Sequence, residues 1–247
     1  MRSAALPMTI DEFHLLPRRL GWKYEYFDGA AHVTPASVVV ECVVDVVFRL
    51  LPHPYAVQAV GPDHRDSLIE AYRDAFEPTP DYLDWPPEAF SASAGTTIDG
   101  YFSGAYGAPS PTSRLLLHEG EVVGAALVVV SRDERHCLKP VFVRSARQRR
   151  GVATALASSV ICALHDLGQS ALYSTFLLAN EPSRSWHRRL GFVELPNELL
   201  TRYCLHHLKC NSWRLQKLGQ LTPAMRQELM AEQAFLEAQL RGFTEAH

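Results

Sequence analysis

The sequence predicts a mixed α/β fold that is richest in strands in its central part. Short β-branched runs alternate with segments of helical spacing from about residue 55 onward, and glycine or proline separates many of them. No repeat of fixed period is visible, which argues against a solenoid. The 247 residues are 47% apolar, which is enough to bury a substantial core.

The first 55 residues are predicted to form an extension that contains a β-hairpin. Thr9 and Glu12 have capping-box spacing for a short helix that Pro17 would end. Two β-prone runs then flank Asp28-Gly29, a dipeptide typical of a two-residue hairpin turn. The next run, SVVVECVVDVVFRLL, is too β-branched to read as a helix and too long for one unbroken strand, so its state stays open.

The central part alternates between the two kinds of element. The predicted strands are YAVQAV, SRLLLH, EVVGAALVVV, CLKPVFV, ALYSTFLLA, FVEL and TRYCLHHL, and the predicted helices lie in HRDSLIEAYRDAF, EAFSASAGTTIDGYFSGA, VATALASSVICALHDLG and a short segment from Pro182 to Gly191. Gly168 is placed to end the third of these helices. Beyond Pro223 an amphipathic terminal helix is expected.

Charge and cysteine content narrow the classes of function. The net charge of -3 and pI of about 6.4 give no overall electrostatic attraction for nucleic acid. Five cysteines without close pairs fit a reducing compartment, and we expect a cytoplasmic protein. No signal-peptide core and no 18-residue apolar run is present, so neither export nor membrane contact is expected. The histidines lack ligand spacing, and we expect no metal.

The strongest candidate site is a glycine turn between a strand and a helix. The stretch RSARQRRGVATAL, residues 144 to 156, places four arginines and a glutamine before Gly151. Backbone N–H groups without helical partners converge at such a helix start, and the helix dipole adds partial positive charge. The turn is therefore suited to phosphate, although an arginine run by itself is more often a solvated surface.

Two motifs give this site a family resemblance. Residues 148 to 153, QRRGVA, resemble the Q/R-x-x-G-x-G/A pyrophosphate loop of the GCN5-related N-acetyltransferase (GNAT) superfamily, with the strand VFV before it. Downstream, Asn180 and the segment WHRRLGF resemble the Asn…(L/F)-Y-x-x-x-GF element of the same superfamily. The resemblance implies a largely antiparallel central sheet flanked by helices. It covers residues 56–208 as a GNAT-like domain, between the extension 1–55 and a helical tail 209–247.

The resemblance also implies roles in binding acetyl-coenzyme A as cosubstrate. The backbone amides of residues 149–154 would hold the pyrophosphate, and Gly151 would let the backbone approach it. The strand 141–143 would pair with the pantetheine arm, with the Val143 N–H as oxyanion donor. Pro140 is expected at an edge or bulge. The expected cofactor-binding residues are Val141, Phe142, Val143, Gln148, Arg149, Arg150, Gly151, Val152, Ala153, Thr154 and Asn180.

The sequence departs from the family pattern at the catalytic positions. His187 stands where relatives carry a tyrosine, and we expect it to protonate the leaving thiolate because its reference pKa is near 6.5. The alternative is a helix-surface histidine without a catalytic part. Thr175 stands where some relatives carry an acidic base. The candidate bases are Glu119, Glu121 and His136, and a neutral amine would need none. Asn180 would orient a cofactor amide or cap the helix.

These residues predict an N-acetyltransferase that moves the acetyl group of acetyl-CoA to an amine by direct attack in a ternary complex. The alternative is a catalytically silent CoA-binding sensor or scaffold, and a nucleic-acid contact at RQRRG ranks last. The acceptor stays open between a small-molecule amine and a protein amine. The oligomeric state stays open between monomer and homodimer.

Overall fold

The computed structural model describes residues 4–47, 55–82 and 85–245. Its strands are β1 (Ala4–Pro7), β2 (Trp22–Phe27), β3 (Ala30–Pro35), β4 (Val39–Asp45), β5 (Val57–Ala59), β6 (Ala108–Pro109), β7 (Arg114–His118), β8 (Glu121–Val130), β9 (His136–Val143), β10 (Ala171–Leu177) and β11 (Val193–Leu195). Its α-helices are α1 (Ile10–Leu15), α2 (Arg65–Phe76), α3 (Pro87–Phe102), α4 (Val152–Asp166), α5 (Glu181–Arg189), α6 (Glu198–Lys217) and α7 (Pro223–Glu245).

The chain divides into two units that are each contiguous in space but not in sequence. The first unit lies within residues 1–40, 176–181 and 195–247, and the second within 41–175 and 182–194. The domain boundaries expected at 55/56 and 208/209 stay predictions, although residue 208 lies inside α6.

The first unit begins with a three-stranded antiparallel sheet in the order β1-β3-β2. The predicted hairpin is confirmed: Phe27 pairs with Ala30, and Asp28 and Gly29 have φ of 51° and 71°. The capping box is also confirmed, because the Glu12 N–H donates to Thr9 Oγ1 at 3.2 Å and the Thr9 N–H donates to Glu12 Oε2 at 2.7 Å.

The helices α6 and α7 complete the first unit. The strand predicted for TRYCLHHL is wrong, because residues 201–208 lie inside α6. Asn197 caps this helix by accepting the Leu200 N–H at 2.8 Å, so the backbone of the next residues enters a helix. The terminal helix predicted beyond Pro223 is confirmed as α7, and Thr201 of α6 donates to Gln239 of α7 at 2.8 Å.

An eight-stranded sheet belongs largely to the second unit and has the path β11-β4-β10-β9-β8-β7-β5, with β6 pairing β8 separately. The pairs β5/β7, β7/β8 and β8/β9 are antiparallel, and β9/β10 is parallel. The mixed, largely antiparallel sheet expected from the sequence is confirmed. The run 37–51, whose state was open, supplies β4, an interior strand between β10 and β11. Its residues 48–51 lie outside the described part.

Helices cover both faces of this sheet. Leu127 and Phe142 belong to a core cluster with Leu68 of α2 and Ile98 of α3. Side chains alternate between the two faces of a strand, so Gly124, three residues before Leu127, faces the opposite side of the sheet. A Cβ at this glycine would lie 3.3 Å from Leu156 of α4. The sheet therefore lies between α2 and α3 on one face and α4 on the other.

Candidate active site

The strand β9 leaves its neighbour β10 partway along its length. The register between β9 and β10 comprises Tyr173 with Cys137 and Ser174 with Leu138. Beyond Leu138, two residues of β9 oppose one residue of β8, since Ala126 pairs with Val141 and Val128 with Leu138. Pro140, which was expected at an edge or bulge, lies at this bulge. Among the described residues, the last part of β9 thus has a strand partner only on its β8 side.

The backbone of Val143 points to the side of β9 that β10 does not cover. The Arg144 N–H donates to Val123 O of β8 at 2.9 Å, and successive N–H groups of a strand alternate in direction. The Val143 N–H and carbonyl therefore point away from β8. This carbonyl accepts a hydrogen bond from Gln148 Nε2 at 3.0 Å. Gln148 thus holds the following loop against the open edge of the strand.

The loop between β9 and α4 has the conformation of an anion-binding turn. Arg149 has φ of 60° and Gly151 has φ of 81°, so two left-handed residues flank Arg150. A Cβ on Gly151 would meet no atom within 4 Å, which leaves open space over the turn. The first bond inside α4 runs from the Ala155 N–H to Gly151 O at 2.9 Å, so the N–H groups of residues 152–154 have no intrahelical acceptor.

A cavity of about 620 Å³ opens over this turn. It is lined by Val143, Arg147, Gln148, Arg149, Gly151, Val152, Ala153, Thr154, Pro182, Ser185, Trp186 and Arg189. Most of the expected cofactor-binding residues thus meet at one cavity. The volume falls within the 300–1,000 Å³ typical of small-molecule and cofactor sites.

Four of the expected cofactor residues do not line this cavity: Val141, Phe142, Arg150 and Asn180. Arg150 lines a separate cavity of about 200 Å³, and its carbonyl accepts a hydrogen bond from the Tyr55 hydroxyl at 2.5 Å. The side chain of Phe142 lies in the core, 5.5 Å from Tyr72 between ring centroids, so only its backbone is available at the strand edge.

Helix α5 supplies residues that sequence reasoning missed. Pro182, Ser185, Trp186 and Arg189 have the spacing i, i+3, i+4 and i+7 and line the cavity from one helix face. Helical periodicity, counted from Pro182, was the signal that could have found them. Asn180 lies in the turn before α5, and its N–H donates to Leu177 O at 2.8 Å.

His187 lies in the interior, with 2% of its surface exposed, so the alternative of a helix-surface histidine is wrong. Its Nδ1 lies 2.8 Å from Ser183 O, and its Nε2 lies 2.9 Å from Ser174 Oγ. Trp186 and Phe192 contact the ring edge to face at 4.7 and 5.0 Å between centroids. The side chain therefore joins α5 to β10.

The partners of His187 define its protonation. Burial lowers the pKa of His187, while the bond to Ser183 O and the charge of Glu194 act in the opposite direction, so the imidazole is neutral at pH 7. A carbonyl only accepts, so Nδ1 carries the proton and Nε2 accepts from the Ser174 hydroxyl. In this conformation both nitrogens are bonded inside the protein. The role of general acid stays a prediction that requires a different ring position.

The candidate bases differ in their distance from Val143. His136 pairs with Val130 and Val143 with Gly124, so seven residues of strand separate them, roughly 23 Å at 3.3 Å per residue. That separation excludes His136 as a direct base beside Val143. Glu121 is exposed at the start of β8, three residues before Gly124, the residue that pairs with Val143.

The open edge of β9 suits an extended ligand, and the adjacent start of α4 suits an anion such as a phosphate. The comparison with family profiles defines the class, which is that of the acyl-transferring proteins. The acetyltransferase (GNAT) family matches residues 65–192, just over half of the sequence, and the chain belongs to this family. No curated protein matches the chain.

Solved structures with a similar fold include proteins of the same family. A GNAT-family protein from Novosphingobium aromaticivorans DSM 12444 has a TM-score of 0.45 and 16% identity over 64% of this chain, which spans 59% of that protein. A GCN5-related N-acetyltransferase from Sphaerobacter thermophilus has a TM-score of 0.46 and 16% identity, with 64% and 48% of the two chains covered. The PaiA N-acetyltransferase from Thermoplasma acidophilum, solved in complex with coenzyme A, has a TM-score of 0.47 and 11% identity, with 57% and 91% covered.

Across residues 4–47, 55–82 and 85–245, no helix is long and apolar enough to cross a membrane. In the same part of the chain, no group of three or more metal-ligating side chains is brought together.

Proposed function

We propose that this protein transfers an acetyl group from acetyl-CoA to an amine by direct attack in a ternary complex. The observation that carries the proposal is the cavity of about 620 Å³ lined jointly by the end of β9, the glycine turn, the start of α4 and one face of α5. A thioester carrier with a diphosphate suits this combination, because one end of the cavity offers amides and the other an open strand edge.

The residues of the site would contribute mainly orientation and charge stabilisation. The N–H groups of residues 152–154, together with those of the turn, would bind the diphosphate at the positive end of the α4 dipole. The outward Val143 N–H would donate to the thioester oxygen, where negative charge increases during attack. Holding donor and amine in one geometry supplies the remaining acceleration. Membership in the acetyltransferase family supports acetyl as the transferred group and an amine as the acceptor.

A second candidate is a member that binds coenzyme A without catalysis, as a sensor or scaffold. Its support is the buried His187, whose two nitrogens are bonded to Ser183 and Ser174, and the absence of an acidic side chain from β10. If His187 does act as the acid, its ring must leave Ser174 when the donor binds.

Two measurements test the proposal and separate the candidates. Isothermal titration calorimetry with coenzyme A tests the cavity, and the absence of any heat of binding would refute both candidates. Release of free thiol from acetyl-CoA is then followed against a panel of small amines and of peptides with free amino termini or lysines. Thiol release that depends on one acceptor supports the enzyme, whereas tight binding without release on every acceptor supports the sensor.

A further inference from the structure

Three arginines with no carboxylate partner line the cavity. Arg147 and Arg149 belong to the turn, and Arg189 belongs to the last turn of α5. None of the three forms a salt bridge within residues 4–47, 55–82 and 85–245. The same two motifs contain further arginines that do not line the cavity, so the fold determines which arginines face it.

The neighbouring arginines are neutralised by acidic side chains. Arg184 and Arg188 both bond Glu194, at 2.8 and 2.9 Å, and neither lines the cavity. Burial acts to raise the pKa of Glu194, but the bonds from these arginines hold it below its usual value, so the carboxylate is ionised. The one arginine of α5 that lines the cavity is thus the one whose charge is not paired with a carboxylate of the described residues.

The side chain of Arg189 is already oriented along the helix. Its Nη1 donates to Ser185 Oγ at 3.1 Å, and Ser185 lines the same cavity one turn earlier. The other nitrogens of the guanidinium remain available for a second bond, which suits the forked recognition of a phosphate. The amides that suit a diphosphate lie in a different element, at the start of α4.

We propose that Arg189 binds the 3′-phosphate of coenzyme A, so that the site selects coenzyme A over its dephospho form. This inference rests on the proposed function. A phosphate monoester carries about -1.5 to -2 charges at pH 7, which the turn amides cannot neutralise while they hold the diphosphate. Arg147 and Arg149 lie in the turn beside these amides, whereas Arg189 supplies a cation on the α5 side of the cavity, apart from the diphosphate.

Calorimetry with two ligands tests the proposal. The wild-type protein is titrated with coenzyme A and with dephospho-coenzyme A, which differ only in the 3′-phosphate. We expect coenzyme A to bind about ten- to a hundredfold more tightly, the size of a bond between charged groups. In Arg189→Ala, the affinity for coenzyme A should fall to near that for dephospho-coenzyme A, while the affinity for dephospho-coenzyme A stays unchanged.

Arg188→Ala is the matched control, since its neighbouring guanidinium bonds Glu194 and does not line the cavity. This variant should keep the wild-type preference between the ligands. Equal affinity of the wild-type protein for both ligands would overturn the inference and leave the proposed function standing. An equal loss for both ligands in Arg189→Ala would also overturn it, because Arg189 would then serve the shared diphosphate. Failure of both ligands to bind the wild-type protein would refute the proposed function itself.

Discussion

Replacing His187 by phenylalanine separates a structural role from a catalytic one. The substitution keeps a flat ring of similar position but removes the bonds to Ser183 O and Ser174 Oγ. A buried polar group left without its partner costs about 1–3 kcal/mol, and two such groups give an expected loss of about 2–4 kcal/mol because the Ser183 carbonyl keeps its helical bond. At about 2–4 °C per kcal/mol for a chain of this size, the Tm should fall by roughly 4–16 °C.

Thermal unfolding followed by calorimetry or circular dichroism measures this loss. The control is His118→Phe, an exposed histidine with 47% of its side chain accessible, for which a change within about 0.5 kcal/mol is expected. A Ser174→Ala, His187→Phe double-mutant cycle should give a coupling of about 0.5–3 kcal/mol for residues in contact. A Tm within 1 °C of wild type, combined with a large loss of turnover, would refute the structural reasoning and favour the general acid.

The same bond network predicts how stability depends on pH. Burial lowers the pKa of His187 in the folded state, so below about pH 6.5 the unfolded chain binds a proton that the folded chain does not. The stabilisation is therefore complete above that pH and is lost as the pH falls. The difference in unfolding free energy between wild type and His187→Phe should shrink from pH 7.5 to 5.5, by up to about 1.4 kcal/mol for each pH unit below the unfolded pKa of about 6.5. Burial lowers the pKa of His136 and His207 too, but both remain in each protein.

Three further predictions concern the cavity and the sheet. Gly151→Ala should cost about 1 kcal/mol at φ of 81° and weaken CoA binding more than tenfold, whereas Gly168→Ala, at φ of 71° at the other end of α4, should cost the same stability without affecting binding. Calorimetry and unfolding curves decide this, and equal binding in both variants would contradict it. Gln148→Ala should weaken CoA binding about two- to tenfold by releasing the loop from the Val143 carbonyl, and no change would show that this bond does not position the loop. A chain that starts at residue 56 should be insoluble, because it lacks β4 and leaves β10 and β11 without their shared neighbour. Soluble, cooperatively unfolding protein from that shortened chain would contradict it.

The parts of the fold that could be predicted are those encoded by neighbouring residues. Asp28-Gly29 and the Thr9–Glu12 pair act within four residues of chain, so their turn and cap follow from the local sequence. The glycine turn belongs to the same category, since the positive φ of Gly151 is a local requirement. Pro140 was likewise expected at an edge or bulge because it lacks an N–H for the ladder, and it lies at a bulge.

The errors arose where distant parts of the chain decide the outcome. The segment TRYCLHHL has residues compatible with a strand, yet the cap at Asn197 starts a helix there. The strand position beside β10 is filled by β4, which comes from a run that local pattern left undecided. In the site, the sequence could not tell which arginines face the cavity, because Glu194, which pairs Arg184 and Arg188, is reached only through the fold.

The position of β4 also has a consequence for folding during synthesis. Cys42 of β4 lies against Ser174 of β10, 132 positions later in the chain. At a translation rate of about 5–20 residues per second, β4 is synthesised roughly 7–26 s before its partner strand β10. The pairing of β4 with β10 can therefore form only late in synthesis. During that interval the apolar β4 segment must not pair with strands of other chains.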